Sequence, residues 1–154
     1  MHRRLVVFVL AFVLLAGGTT AFAKPIKGTA GSDRLVGTAR GDNISGRGGN
    51  DQLRGGGGND RLNGGAGNDI VSGDAGNDSL IGGTGEDSLL GGSGADRLDA
   101  RGGPGDVVLG GNGPDRIEAI DGAPDKISCG AGRDTVRADR VDSVARDCES
   151  VRRG

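Results

Sequence analysis

Residues 55–72 read "GGGGNDRLNGGAGNDIVS". Seven of these eighteen positions are glycine, and only Leu62, Ile70 and Val71 are branched aliphatics. Glycine loses more backbone entropy on ordering than any other residue. A stretch this poor in apolar side chains therefore needs something besides a core to hold one shape. Its spacing points to what that is. Asp60 and Asp69 stand nine residues apart, and each is followed two residues later by an aliphatic, Leu62 and Val71.

The period extends in both directions. Counting in nines from Asp33 gives Asp42, Asp51, Asp60, Asp69, Asp78, Asp87 and Asp96. The aliphatics two residues on are Leu35, Ile44, Leu53, Leu62, Val71, Leu80, Leu89 and Leu98. With small insertions the register continues through Asp106, Asp115, Asp125 and Asp134, followed by Val108, Ile117, Ile127 and Val136. A disordered Gly/Asn/Asp-rich linker needs neither a fixed spacing nor an unbroken aliphatic column. The pattern is that of a repeat architecture.

Upstream of the repeats, Met1–Arg4 is basic, Leu5–Ala16 is continuously apolar, and "AFA" at 21–23 is a small-x-small site. This is the layout of a secretory signal peptide cleaved after Ala23. The apolar run is shorter than the roughly 20 residues of a membrane span, so a secreted chain with no membrane contact after cleavage is expected. The only aromatics, Phe8, Phe12 and Phe22, lie in the signal, as do Met1 and His2. Removing Arg3 and Arg4 from 19 basic residues leaves 17 against 21 acidic, a net charge of −4. Without aromatics an ordinary globular core is hard to build. Without His, zinc hydrolysis and Ser-His-Asp chemistry lose their usual base, so no enzyme is expected. The negative charge disfavours nucleic acid, and Arg34, Arg54, Arg61 and Arg97 read as decoration of solvent-facing strand positions.

The unit Gly-Gly-x-Gly-x-Asp-x-aliphatic-x resembles the RTX calcium-binding nonapeptide repeat. The resemblance runs from residue 28 to 137, and Gly55–Asp60, Gly64–Asp69, Gly82–Asp87, Gly91–Asp96 and Gly110–Asp115 match the six-residue turn fully. It implies an all-β fold, a parallel β-roll solenoid in which each repeat gives a six-residue turn and a three-residue strand. Two repeats complete a coil of 18 residues. The expected organisation is a signal peptide at 1–23, the roll at 24–137 and a C-terminal cap at 138–154. The middle side chain of each strand points inward, because side chains alternate faces.

That geometry sorts the aspartates into two files. One holds Asp33, Asp51, Asp69, Asp87, Asp106 and Asp125; the other holds Asp42, Asp60, Asp78, Asp96, Asp115 and Asp134. Early members of a file are 18 residues apart and later ones 19, with the extra residues falling in "ARGGPGD" and "AIDGAPD". Carboxylates stacked one coil apart, about 4.8 Å, repel and raise one another's pKa. A cation between coils removes the repulsion. Calcium suits the place, taking 6–8 oxygens at about 2.3–2.6 Å in flexible geometry, whereas magnesium demands a strict octahedron. Several calcium ions are expected, held by these twelve aspartates and by turn carbonyls. Arg40, Arg47, Asp74 and Pro124 depart from the repeat, which places the strongest sites between Asp51 and Asp115.

An open roll needs a cap at its last coil. "DTVRADRVDSVARDCESV" lacks glycine and reads either as degenerate rungs, through repeated Asp-x-Val, or as an amphipathic helix; rungs are the expected form. Cys129 and Cys148 are the only cysteines of an exported chain, so a disulfide is expected, and no CxxC spacing supports a redox or metal pair. This bridge and the N-terminal signal depart from the toxins and proteases that share the motif. The expected function is a secreted, non-enzymatic calcium-binding protein whose folding is coupled to the ion. The alternative is adhesion to a cell-surface or matrix partner with the roll as scaffold. A calcium module of a hydrolase would need a catalytic motif, and neither HExxH nor GxSxG occurs. Ice binding would need Thr where Gly48, Gly57, Ala66 and Ala75 stand.

Overall fold

A computed structural model describes residues 25–154; the expected signal peptide, residues 1–23, and Lys24 lie outside the described residues. Among the described residues there are fifteen strands and no helix. In chain order the first eight are β1 (Ile26–Lys27), β2 (Arg34–Val36), β3 (Asn43–Gly48), β4 (Gln52–Gly57), β5 (Arg61–Ala66), β6 (Ile70–Ala75), β7 (Ser79–Thr84) and β8 (Ser88–Ser93). Then come β9 (Arg97–Asp99), β10 (Val107–Asn112), β11 (Arg116–Ala119), β12 (Lys126–Ala131), β13 (Thr135–Ala138), β14 (Ser143–Val144) and β15 (Ser150–Arg153). Odd-numbered strands form one eight-stranded parallel sheet and even-numbered strands a seven-stranded one, so the chain alternates between two sheets as it advances along one axis.

The aliphatic column makes the core. Leu35, Ile44, Leu53, Leu62, Val71, Leu80, Leu89, Leu98, Val108, Ile117, Ile127 and Val136 are all buried between the sheets. One aliphatic per nonapeptide contributes about 2 kcal/mol by burial. Such a thin interior has no room for rings, which accounts for a repeat region without aromatics.

The regular strands are longer than the three residues expected. Strand β4 pairs with β6 at Gln52↔Ile70 and Leu53↔Val71, and again beyond the corner at Gly56↔Asp74 and Gly57↔Ala75. Because each coil stacks on a near-identical one, the ladder continues through the first half of the turn. The aliphatic column stays in register while the spacing changes: partners are 18 apart up to Ile70↔Ser88, 19 apart from Ser88↔Val107 and Arg97↔Arg116 to Val107↔Lys126 and Arg116↔Thr135, and closer in the last pairings, Lys126↔Ser143 and Thr135↔Ser150. The extra residues sit in the turns 100–106 and 119–125. There Asp121 Oδ2 accepts the Gly102 N–H at 2.9 Å, and Asp139 Oδ2 accepts those of Asp121 and Gly122 at 2.8 and 2.6 Å.

The C-terminal segment forms rungs. Strand β14 continues the even sheet against β12, and β15 continues the odd sheet against β13. Cys129 and Cys148 are joined by a disulfide with their Cα atoms 5.1 Å apart, close to one coil spacing.

Candidate metal centre

Each six-residue turn ends on an aspartate whose side chain folds back under its own coil. Asp42, Asp51, Asp60, Asp69, Asp78, Asp87, Asp96, Asp106, Asp115, Asp125 and Asp134 are buried; Asp33, in the first coil, is half-buried. Within a file, Oδ1 of each aspartate accepts the backbone N–H of the aspartate one coil earlier. Ten such bonds run from Asp51 Oδ1 on Asp33 N–H to Asp134 Oδ1 on Asp115 N–H, all 2.7–2.9 Å long. The structure thus aligns both files as expected and assigns one oxygen of each carboxylate to the fold.

The other oxygen has no partner. Oδ2 of Asp51, Asp60, Asp69, Asp78, Asp87, Asp96, Asp106, Asp115, Asp125 and Asp134 is buried without a hydrogen bond. A buried, unpaired carboxylate oxygen is costly, and ten in two rows are a strong sign of an absent partner. Their surroundings identify its chemistry. A Cβ built on Gly110 would lie 2.6 Å from Asp115 Oδ2 and 2.5 Å from the Cys129 carbonyl oxygen, and one built on Gly82 would lie 2.5 Å from Asp87 Oδ2. A carboxylate oxygen and the next coil's carbonyl oxygen therefore crowd the first glycine of the turn, where only a hydrogen fits. Oxygens alone, anionic and neutral, suit a hard cation such as calcium. Among the described residues no three Asp, Glu, His or Cys side chains gather at one point, so a bound ion would draw on carboxylate pairs and main-chain carbonyls.

Burial raises nine of these carboxyls, those from Asp51 to Asp125. Asp106 is pushed up to about 7 and Asp60, Asp115 and Asp125 to about 6. Desolvation is the largest cause in each; the accepted N–H opposes it and neighbouring carboxylates reinforce it. Asp51, Asp69, Asp78, Asp87 and Asp96 are raised for the same first cause.

Sequence reasoning missed three features. The files do not stop at Asp125 and Asp134: Asp142 Oδ1 accepts the Asp125 N–H and Glu149 Oε2 accepts the Asp134 N–H. Both obey the acid-x-aliphatic rule, with Val144 and Val151 two residues on, but the steps shrink to 17 and 15 residues. Next, a second ladder runs in the opposite direction. Asn50, Asn59, Asn68 and Asn77 each use Oδ1 to accept the N–H of the residue 18 later, at 2.8–3.1 Å, so these asparagines tie coil to coil. Lastly, in the first coil Thr29 and Thr38 cap Asp33 and Asp42, each donating both N–H and Oγ1–H to the aspartate's Oδ2. The departures at Arg47 and Asp74 are visible as positive φ, 83° and 72°, at non-glycine residues, with Asp74 anchored by Arg54 Nε and Ser72 Oγ.

An array of parallel coils carrying two files of half-satisfied buried carboxylates is a metal-binding β-solenoid. The RTX calcium-binding nonapeptide repeat family model, in four copies, matches residues 27–62, 45–80 and 72–105, which together span half of the chain, and the chain belongs to that family. The repeats of this family bind calcium and form a structural module, and the stacked aspartates fit several calcium sites. The comparison with curated proteins returns no match.

Proposed function

We propose that the protein is a secreted, non-enzymatic calcium-binding protein whose roll orders when calcium binds. Residues 1–23 serve as its signal peptide, 24–137 as the roll and 138–154 as its cap. The ligands are the carboxylates of Asp33, Asp42, Asp51, Asp60, Asp69, Asp78, Asp87, Asp96, Asp106, Asp115, Asp125 and Asp134, with turn carbonyls. The single observation that carries this reading is the double row of buried, unpartnered Oδ2 atoms.

When bound, the ion supplies positive charge and empty coordination positions for those oxygens. The chain does the rest. Oδ1 bonds to the preceding coil fix each carboxylate's direction, the first glycine of each turn leaves room for the carbonyl above it, and the aliphatic column keeps successive turns in step. Equilibrium dialysis of the 24–154 chain tests the reading: several ions bound per chain, at about 10⁻⁴ M or somewhat tighter through cooperativity, are expected. A chain that retains no calcium at millimolar concentration contradicts it.

One observation favours the adhesion reading as a second role. On the outer face of the even sheet, Ile70 stands on β6 and Val107 and Leu109 on β10, 49, 37 and 43 % exposed, and β8 between these strands carries Leu90, paired to Leu109. An apolar strip on a flat sheet suits contact with a surface. Replacing Leu109 by Ser removes part of the strip without touching the core; unchanged cell or matrix retention would set this second role aside.

A further inference from the structure

Cys129 occupies a place that glycine holds elsewhere. The first residues of the turns on the Asp134 edge are Gly37, Gly55, Gly73, Gly91 and Gly110, and the next in that column is Cys129, five residues before Asp134. At Gly110 a Cβ would collide with the Cys129 carbonyl oxygen above it and with Asp115 Oδ2. Cys129 carries its Cβ and Sγ in full burial because no regular coil follows it. The chain leaves the ladder after Ala145, whose N–H still bonds the Ile127 carbonyl oxygen, and the turn 146–149 brings Cys148 inward in place of another coil. The disulfide thus makes, covalently, the coil-to-coil link that carbonyls and an ion make in the turns before it.

The same short turn holds the edge of the last full repeat. Asp147 accepts Ser128 Oγ–H at 2.7 Å and the Gly130 N–H at 3.1 Å, with a longer contact to the Cys129 N–H. Glu149 accepts the N–H of Asp134 itself, at 2.9 Å. Both acids flank Cys148, so the disulfide holds in place the groups that fix Asp134 and its unpartnered Oδ2. Cys129 is fully buried whereas Cys148 is half-buried, so a reductant approaches the bridge from the Cys148 side.

We propose that the Cys129–Cys148 disulfide couples the thiol redox state of the surroundings to the calcium response: intact, it stands in for an ion at the last inter-coil step; reduced, it releases the Asp134 edge and weakens the calcium stack. The inference rests on the calcium reading above. The reductant is a thiol. Its thiolate bonds to Cys148 Sγ, the S–S bond breaks, and Cys129 Sγ leaves with the electron pair and takes a proton. A second thiolate then bonds to the sulfur of the first, the bond to Cys148 breaks, and Cys148 Sγ leaves with the electron pair and takes a proton, so that two thiols are oxidised to one disulfide while Cys129 and Cys148 become thiols.

The test is a calcium titration of the 24–154 chain, oxidised and after reduction by dithiothreitol, followed by circular dichroism. A loop of this size changes the folding constant by about 100-fold, which becomes about a two- to fourfold higher calcium midpoint when spread over several cooperatively bound ions. By reciprocity, calcium must protect the bridge, so alkylation of the two thiols at fixed dithiothreitol falls when calcium is added. The variant carrying Cys129→Ser and Cys148→Ser should titrate like the reduced protein. Equal midpoints for oxidised and reduced protein overturn the proposal while leaving calcium binding intact. An oxidised protein with no calcium response overturns the calcium reading, and this one with it.

Discussion

The interior coils and the two ends of the roll treat the same carboxylate differently. From Asp51 to Asp134 each side chain has one oxygen bonded and one buried oxygen bare. At the N-terminal end, Oδ2 of Asp33 and Asp42 is taken by Thr29 and Thr38. At the C-terminal end, Asp142 places one oxygen on the Asp125 N–H and the other on the Asp139 N–H. Protein groups take these end oxygens, although Asp42 Oδ1 stays buried without a partner; in the middle the second oxygen meets nothing the chain supplies. On the calcium reading proposed above, such a stack has caps that hold without metal and a body that depends on it.

The largest contrast should come from glycine. Gly82→Ala puts a methyl 2.5 Å from Asp87 Oδ2, while Gly31→Ala meets only Thr29 Oγ1 at 3.9 Å. The first should destabilise the calcium-loaded roll by about 3 kcal/mol, the upper end of overpacking, and the second by less than about 0.5 kcal/mol. Thermal melts in saturating calcium measure both.

Aspartate comes next. Asp69→Ala removes carboxylate oxygens flanked by Asp51 and Asp87, and leaves the buried Asp51 N–H bare, at about 2 kcal/mol. Asp33→Ala loses its bonds to Thr29 in an exposed first turn and touches a single inter-coil step, at the end of the stack. In a one-dimensional stack an interior defect also interrupts propagation. Calcium titrations should therefore show a clearly higher midpoint for the interior variant. Equal midpoints would mean that the turns act as independent loops.

Acidity separates the regions by sign. The file aspartates from Asp51 to Asp125 have folded values above the unfolded one near 4, reaching about 6 for Asp60, Asp115 and Asp125 and about 7 for Asp106. Their contribution to the calcium-free roll is full below about pH 4 and is lost as pH rises through 6–7. Calcium needs the ionised form, so the calcium midpoint should climb as pH falls below that window. Asp147, at the C-terminal end, is held below the usual range, first by the Ser128 hydroxyl, and its contribution is lost as pH falls through its lowered value. Chelated protein that gains β signal on acidification, and calcium-loaded protein that loses it, is the expected pair of observations.

Among the hydrogen-bond variants the smaller effect belongs to Thr38→Val, which keeps the N–H bond to Asp42 and removes the hydroxyl one, for about 1 kcal/mol in denaturant melts. A larger loss than that of Asp69→Ala would reverse the contrast between ends and body.

What could be read in the sequence follows the same division. The nine-residue beat of Asp60-x-Leu62 and Asp69-x-Val71 sufficed for the fold, the core and both files, because the interior coils share one chemistry and differ in length by a single residue. Asp142 and Glu149 escaped because their steps shorten as the chain tapers. Thr29 and Thr38 were hidden by resembling ordinary turn residues, and the asparagine ladder because its bonds join residues 18 apart. Strand length was misjudged for a physical reason too: only the stacking of coils reveals that Gly56 and Asp74 still pair past the corner.

The most direct test of a metal-dependent body between closed ends is far-ultraviolet circular dichroism of the disulfide-bonded 24–154 chain at neutral pH, first in excess chelator and then across a calcium titration. The bare, repelling carboxylates predict a largely disordered chain below micromolar calcium and a cooperative rise of β signal, centred near about 10⁻⁴–10⁻³ M or tighter. A full β signal in excess chelator, unchanged by calcium, would contradict it.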